Sequence, residues 1–420
     1  MAASAIHNLI RTLPAGTACF IGIVLVTMFT GQLVQHRGSL ARAALPMVVH
    51  LRWGWHRTHR AMARGQLSLD SLFDGACTWC VAHLPVEPVR LGSRHRTVHA
   101  IDSSTIARLR AGERCALLGQ GYCHRAGRQV RANVVAALTT VVLIRGVRVG
   151  RVRRTRLGLS SAEAVAQPFA ALPESDEPRL FSVDAGIATP DQFRAATERD
   201  ALVGRLRQNV SVRRAAKPRR KGQRGRPPVH GPRLHPGARR PEGHADEETR
   251  IIVEGREVRV RRWNNVHFAR APQTILDVVR VDDPAFKRPL LVGTTARELT
   301  TAEIREAYRH RWPVETNFYV AQGSCAMEMP RAWSERAVER RISLALLSGS
   351  LLKAIAAGCE ALPMGPWDRK AVGSAGRLAN YLDIHASNFV ALALRGIVPG
   401  KYRKIAEAKE TADWQLPVAA

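Results

Sequence analysis

The sequence predicts an α/β fold with a helical N-terminal region and a β-rich insertion. Strand-favouring and helix-favouring stretches alternate between residues 97 and 207. Alternating strand patterns then run between residues 250 and 281, and strand followed by helix resumes from residue 289. Alternation of strands and helices is typical of α/β layers, in which helices cover a mixed or parallel sheet.

The large positive net charge of the chain indicates which kinds of partner it binds. The chain has 420 residues, of which 45% are hydrophobic, and a formal net charge of +29. A charge of this size opposes compaction unless a polyanion screens it, and nucleic acid is the common polyanion. The balance therefore predicts nucleic-acid binding, but an enzyme and a structural binder are equally compatible with it.

Cysteine usage indicates a reducing compartment, because the seven cysteines are odd in number and show no disulfide framework. Cys77 and Cys80 form a CxxC pair. Zinc ribbons need a second pair at suitable spacing, which does not follow, so the pattern favours helical packing over a metal site.

Residues 1–95 are predicted to be a helical N-terminal domain, in which Ser68 begins one helix. Either a structural or a DNA-end-binding role fits its arginines. The run from Ala18 to Leu33 carries no charge. Its apolar part is shorter than the roughly 20 residues of a membrane span, so we expect a buried core helix, with a membrane anchor as the alternative.

Residues 96–208 are predicted to form the first part of the core. The run Thr97–Ile101 is β-favouring and leads into Asp102, and the strand Arg179–Val183 leads into Asp184. Between them, Asn133–Val149 predicts two strands joined near Arg145-Gly146. Both aspartates are therefore expected at strand ends, where a carboxylate can meet partners from other elements.

Residues 209–288 are predicted to be a basic loop followed by a β-rich insertion. Arginine and lysine residues crowd residues 213–240 without an acidic residue among them. Such a segment is expected to be a loop. Arg250–Val260 and Thr274–Val281 then alternate like strands.

The remainder of the core is assigned to residues 289–358 and a helical, basic tail to residues 359–420. Pro289–Thr294 predicts a strand, Thr301–Arg311 a helix and Ala337–Ile355 a buried apolar helix. Pro313 is welcome at a first helical position but not inside a helix. A break is therefore expected near Trp312, with a new helix carrying Glu315.

Three carboxylates brought together in a basic protein suit divalent metal chemistry on nucleic acid. Asp102, Asp184 and Glu315 are the candidates. Mg²⁺ prefers hard oxygen ligands and keeps positions for water and phosphate. Two such ions about 4 Å apart can activate an attacking oxygen and stabilise a leaving one.

Tyr308, Arg311 and Glu315 resemble the signature of transposases from bacterial insertion sequences, in which Tyr, Arg, Glu and Lys recur with two, three and six residues between them. Trp312 after the arginine also fits. The segments around Asp102 and Asp184 resemble the two aspartate motifs of the same family. The family lysine falls on Gln322, which brings no charge to a phosphate.

The resemblance implies an RNase H-like core, interrupted by the β-rich insertion. It implies metal-dependent cleavage at transposon ends and strand transfer into target DNA, with Asp102, Asp184 and Glu315 catalytic and holding two Mg²⁺ ions, or Mn²⁺. The expected partners are element-end and target DNA and a second copy of the chain, with no membrane, in the cytoplasm at the nucleoid. Gln322 motivates the alternative, a catalytically inactive DNA-binding derivative.

The same resemblance assigns DNA contacts to Tyr308, Arg311, Trp312 and Gln322. Arginine suits phosphate because its planar fork matches two oxygens. Trp312 either stacks on an unpaired base or packs in the core. The Arg224-Gly225-Arg226 loop either enters an A·T-rich minor groove or makes non-specific phosphate contacts.

Overall fold

The computed structural model describes residues 1–44, 55–108, 115, 117–123, 126–170, 172, 175–216, 228–238, 244–362 and 373–397. The helices are α1 Ala2–Ile10, α2 Ala15–Phe29, α3 Gln32–Gln35, α4 Trp55–Arg64, α5 Leu69–His83, α6 Ser161–Ala170, α7 Pro190–Ala195, α8 Thr301–Arg309, α9 Trp312–Cys325, α10 Glu335–Gly358, α11 Ala375–Ile384 and α12 Ala386–Ala393.

The strands are β1 Val86–Pro88, β2 Arg90–Leu91, β3 Arg96–Ala107, β4 Gly119–Cys123, β5 Arg128–Ile144, β6 Val147–Gly158, β7 Arg179–Val183, β8 Asp200–Arg205, β9 Val212–Ala215, β10 His230–Leu234, β11 Glu247–Val253, β12 Arg256–Phe268, β13 Ala271–Asp282 and β14 Leu290–Thr294.

One mixed sheet organises the molecule. Its centre has the order β6-β5-β3-β7-β8. β6, β5 and β3 pair antiparallel, whereas β3, β7 and β8 pair parallel. This combination, with helices on the sheet, is consistent with the expected RNase H-like core.

The strands between the second aspartate and Glu315 extend that sheet. β14 pairs antiparallel with β8, and β13 pairs with β14. β12 then pairs with β13, and β9 and β10 follow. The inserted strands, β9 to β13, are therefore hydrogen-bonded to the core through β14.

Apolar helices cover the sheet beside β6. α10 is long and apolar enough to cross a membrane by composition, yet 89% of its apolar window is buried inside the protein. α2 is also buried, with Cys19, Ile21 and Phe29 fully inaccessible. The expectation of a buried core helix at the start of the chain is confirmed.

Buried arginines fasten the N-terminal helices to α10. Arg340 donates hydrogen bonds to the carbonyls of Ala61 and Gly65, which end or follow α4. Arg341 donates to the carbonyl of Gly38 at 3.0 Å. These hydrogen bonds from buried guanidinium groups to backbone carbonyls hold α4 and the segment after α3 against α10.

Several local predictions hold. Ser68 caps α5 by accepting a hydrogen bond from the Ser71 amide, and Cys77 and Cys80 are buried in that helix. The turn between β5 and β6 falls at Arg145-Gly146, where both φ angles are positive. α8 ends at Arg309 and α9 begins at Trp312, as Pro313 predicts.

Three predictions are wrong in detail. Residues 213–240 were expected to be a loop, but β9 and β10 include parts of this stretch and pair antiparallel. Asp102 lies within β3 and not at its end, because β3 continues to Ala107 by pairing with β5. Arg250–Val260 is not one strand but parts of β11 and β12, joined by a turn at Glu254-Gly255. Both turn residues have positive φ, as a tight hairpin requires.

Candidate active site

Asp102 and Asp184 lie side by side on neighbouring parallel strands. Ile101 of β3 pairs with Val183 of β7, so the two aspartates follow one step further along each strand. Neighbouring strands lie about 4.8 Å apart, and parallel strands in register place corresponding side chains on the same face. β7 ends at this point, which leaves Asp184 beside the continuing β3.

Glu315 reaches the aspartates from α9, whose orientation is fixed by its opposite face. Val314 and Phe318 are buried, and the buried amide of Asn317 donates to the carbonyl of Gly150 on β6 at 2.8 Å. A Cβ at Gly150 would lie 3.2 Å from the backbone of Pro313. A residue without a side chain therefore lets the start of α9 approach the sheet closely.

Arg311 joins two of the three carboxylates. Its Nη1 lies 2.7 Å from Asp102 Oδ2, and its Nη2 contacts Glu315 Oε1. The Tyr308 hydroxyl donates to Asp184 Oδ1 at 3.1 Å, and the Arg311 guanidinium lies 5.6 Å from the centre of the Tyr308 ring. We call Asp102, Asp184, Glu315, Tyr308 and Arg311 the acidic site.

The electrostatics of the acidic site reflect burial and shared charge. Burial raises the pKa of Asp102 to about 6, against the opposing effects of Arg311 and of the Ser103 amide, while Asp184 and Glu315 add to the rise. Burial alone would lower the pKa of Arg311, but Tyr308 and the carboxylates together raise it. Arg311 therefore remains a cation, and Asp102 is mostly ionised at neutral pH.

The donor set suits a hard divalent cation, because it consists of carboxylate oxygens that remain partly open to solvent. The side chains of Asp184 and Glu315 are 36% and 32% exposed. In the described part of the chain, no three acidic, histidine or cysteine side chains already surround a single point closely enough to hold a metal. Arg311 supplies the positive charge between Asp102 and Glu315 instead, so a metal ion there requires its displacement.

Gln322 also faces this site. Its Nε2 donates to Ser104 Oγ at 3.4 Å, and Ser104 lies on β3 two residues beyond Asp102. Gln322 follows Glu315 by about two helical turns, so both residues share one face of α9. The side chain at this position thus belongs to the same surface as the acidic site.

Trp312 is 63% exposed at the start of α9, which excludes core packing as its role. Its indole is free to contact a ligand at the surface next to Arg311. Arg224 and Arg226 lie outside the described residues, so both interpretations of that loop stay predictions.

Two residues near the acidic site were missed by sequence reasoning. Arg205 Nη1 lies 3.8 Å from Asp184 Oδ1. It ends β8, where Gly204 pairs with Val183, so the strand register was the signal that places it beside Asp184. Tyr319 is 76% exposed one helical turn beyond Glu315, and its spacing from Trp312 indicated a shared face.

The fold and the site together define a class: an RNase H-like α/β core in which acidic residues converge from β3, β7 and a following helix. Comparison of the sequence with protein families gives a match to the transposase DDE domain over residues 93–349, which is more than half of the chain. The chain belongs to this family of DDE transposases. No curated protein sequence matches it.

Membership confirms the expected family and its association with DNA transposition and recombination. The matched region begins just before β3 and ends within α10. It therefore includes Asp102, Asp184 and Glu315, together with the inserted strands.

Proposed function

We propose that this chain is an active transposase of the group with the Tyr-Arg-Glu-Lys signature, which cleaves DNA at the ends of its element and joins the freed 3′ end to target DNA. The observation that carries the proposal is the convergence of three carboxylates on Arg311 and Tyr308. Asp102 and Asp184 meet through strand register, and Glu315 joins them through the Arg311 guanidinium.

Asp102, Asp184 and Glu315 would hold two Mg²⁺ ions, or Mn²⁺, which when bound activate the attacking oxygen and stabilise the leaving oxygen. Arg311 gives up its contacts with Asp102 and Glu315 as those carboxylates gain other cations. Its planar fork is then available to a DNA phosphate, which it matches with two hydrogen bonds. Tyr308 keeps Asp184 oriented through its hydroxyl.

DNA contacts in this proposal come from one surface. Tyr308, Arg311, Trp312 and Gln322 lie at or beside the acidic site, and the exposed Trp312 ring offers an unpaired base a stacking partner. The proposal also includes DNA contacts from Arg224 and Arg226, on the basis of their sequence. We further propose that two copies act together on paired element ends, at the nucleoid in the cytoplasm.

The test uses the full chain with Mg²⁺ and labelled DNA from the sequences that flank the coding region, where this proposal expects inverted repeats. Wild type is expected to cut at the repeat end, and Glu315→Gln is expected to bind but not cut. Asp191→Asn is a matched control, because Asp191 is an exposed acid on α7 whose ion pair within the described residues is with neighbouring Arg194. Equal cutting by wild type and Glu315→Gln would refute the three-carboxylate mechanism.

A second candidate is a transposase-derived DNA-binding protein without catalysis. Gln322 in place of the family lysine, and Arg311 held between two of the carboxylates, favour it. Wild type would then bind repeat DNA in a salt-sensitive manner and cut with neither Mg²⁺ nor Mn²⁺. A cut product that depends on Glu315 excludes this candidate.

A further inference from the structure

A cavity of about 830 Å³ lies at the first turn of α9 and is formed partly by the edge of the sheet. We call it the α9 cavity. The lining residues that matter here are Arg90, Arg148, Arg309, Trp312, Thr316 and Lys353. Trp312 directly follows Arg311 of the acidic site in the sequence, so the cavity and the acidic site share the start of α9.

Lys353 is a charged residue within the apolar part of α10. It is the only charged residue between 343 and 358, the apolar part of α10. Its side chain is mostly buried and its ammonium donates to the Thr316 hydroxyl on α9. Among the described residues, no carboxylate lies within ion-pair distance of it.

A buried ammonium without an acid is costly, because desolvation is not repaid by an opposite charge. The cost shows in the pKa of Lys353, which burial lowers to about 8. Lys353 still carries a proton most of the time at neutral pH. An anion in the cavity would supply the missing counter-charge.

The other charged groups around the cavity do not supply a negative counter-charge for Lys353. Glu306 is the only acid among the described residues that line the cavity, and it is already shared by Arg148 and by Arg309, which lies 3.4 Å away. Burial lowers the pKa of His310 to about 4, so this residue is neutral near pH 7. Cations therefore outnumber acids around the cavity.

The start of α9 also favours an anion in the cavity. Trp312, Pro313 and Thr316 belong to the first turns of a 14-residue helix. Pro313 has no amide N–H and the Val314 amide already donates to the Arg311 carbonyl, so it is the partial positive charge of the helix end that favours an anion. Helix end, lysine and arginines thus favour one kind of ligand.

We propose that the α9 cavity is a DNA subsite in which Lys353, Arg148 and Arg309 hold a backbone phosphate of the strand beside the cleavage point. The cavity is several times larger than a phosphate group, which suits a phosphate that arrives as part of a nucleotide chain. This inference rests on the proposed function, because it takes the DNA to be the strand engaged by Glu315, three residues beyond Trp312.

The test is a binding experiment in EDTA, so that it does not depend on cleavage. Element-end DNA is titrated at several salt concentrations with wild type, Lys353→Met and Lys353→Arg. The logarithmic salt dependence of binding changes by roughly 0.9 for each phosphate contact. Lys353→Met is expected to lose about one such contact and to bind several-fold more weakly at low salt, and Lys353→Arg to restore binding.

Lys287→Met is the matched control, because Lys287 is exposed in the loop after β13 and does not line the α9 cavity. Thr316→Val removes the lysine's hydrogen-bond partner without removing its charge. If Lys353 only positions α9, Thr316→Val and Lys353→Met weaken binding equally and leave the salt dependence unchanged, and the proposal is overturned.

Thermal denaturation gives a second readout and identifies the source of the phosphate. Inorganic phosphate is expected to raise the melting temperature of wild type but not of Lys353→Met. If it does so while the salt dependence of DNA binding is the same in both proteins, the cavity is a site for free phosphate and the DNA assignment is wrong. Loss of cleavage in wild type with the binding results intact would fault the proposed catalysis and spare the subsite.

Discussion

Two buried arginines pair with aspartates in different parts of this molecule. In the inserted strands, Arg262 pairs with Asp277 at 2.5 Å and also donates to the carbonyls of Arg297 and Leu299. Asp277 is only 2% exposed and its second oxygen accepts from the Asn265 amide. The buried charges of Arg262 and Asp277 are therefore stabilised by each other and by hydrogen bonds to backbone carbonyls and one backbone amide.

The acidic site differs from the Arg262–Asp277 pair in two ways: it has more carboxylates than cations, and its side chains are partly exposed to solvent. Arg311 serves Asp102 and Glu315 together, and Asp184 lies close by on the next strand. The side chains of Asp184 and Glu315 are partly exposed, whereas that of Asp277 is enclosed. Burial of a charged pair alone does not mark a functional site; an unbalanced, accessible cluster of like charges does.

The largest expected effect is on DNA cleavage, which should depend on the Arg311–Asp102 pair and not on the Arg262–Asp277 pair. Asp102→Asn should reduce repeat-end cleavage by at least about a thousandfold, since metal-assisted stabilisation of the transition state contributes several kcal/mol. Cleavage is measured under single-turnover conditions on labelled DNA. A variant that retains a tenth of wild-type activity would remove Asp102 from the mechanism.

Asp277→Asn should have the opposite profile. Leaving Arg262 buried without its carboxylate is expected to cost about 3–5 kcal/mol of folding free energy. Denaturant titration measures this loss, while cleavage per folded molecule stays near wild type. Unchanged stability would mean that the carbonyls of Arg297 and Leu299 suffice for Arg262.

Lys353 provides a third case, a buried cation that has no carboxylate partner among the residues that the structure describes. The unfolded chain, with the ordinary lysine pKa of 10.5, binds more protons than the folded protein between about pH 8 and 10.5. The penalty of this lysine is therefore fully present below pH 8 and is relieved as pH rises through that window. Lys353→Met should be more stable than wild type at pH 7, by on the order of 1–3 kcal/mol.

The check on Lys353 is denaturant unfolding at pH 7 and pH 9.5 without DNA. The advantage of Lys353→Met should shrink at the higher pH. An advantage independent of pH would assign the effect to packing and not to the ammonium.

The smallest effect concerns the departure from the family signature. Gln322→Lys adds a cation on the face of α9 that carries Glu315, and should tighten binding of repeat DNA by about fivefold at low salt through one more phosphate contact. Fluorescence anisotropy measures the affinity. Equal affinity at all salt concentrations would show that DNA does not reach this position.

Apolar runs that lead into Asp102 and Asp184 indicated the strands of the core, whereas Glu315 was predicted from the resemblance of its segment to the transposase signature. The sequence did not predict that β3 continues beyond Asp102, because the stretch to Ala107 is extended through its pairing with β5 and not through local strand preference. It also joined β11 to β12, because β-favouring residues lie on both sides of the Glu254-Gly255 turn.

The details of the acidic site needed three dimensions. That Arg311 pairs with Asp102, which precedes it by 209 residues, depends on the packing of α9 against β3. The charge of Lys353 was visible in the apolar run of α10, but its cavity arises only where α9 meets the sheet edge. The roles of Trp312 and Gln322 in DNA binding stay predictions.

The distance in sequence between α2 and α10 has a consequence for biosynthesis. Ser348 contacts Met28 across 320 residues, so α2 is made long before the helix that covers it. At roughly 5–20 residues per second, a ribosome leaves this apolar segment without its native partner for tens of seconds. We expect nascent chains to depend on chaperones and truncated chains to aggregate.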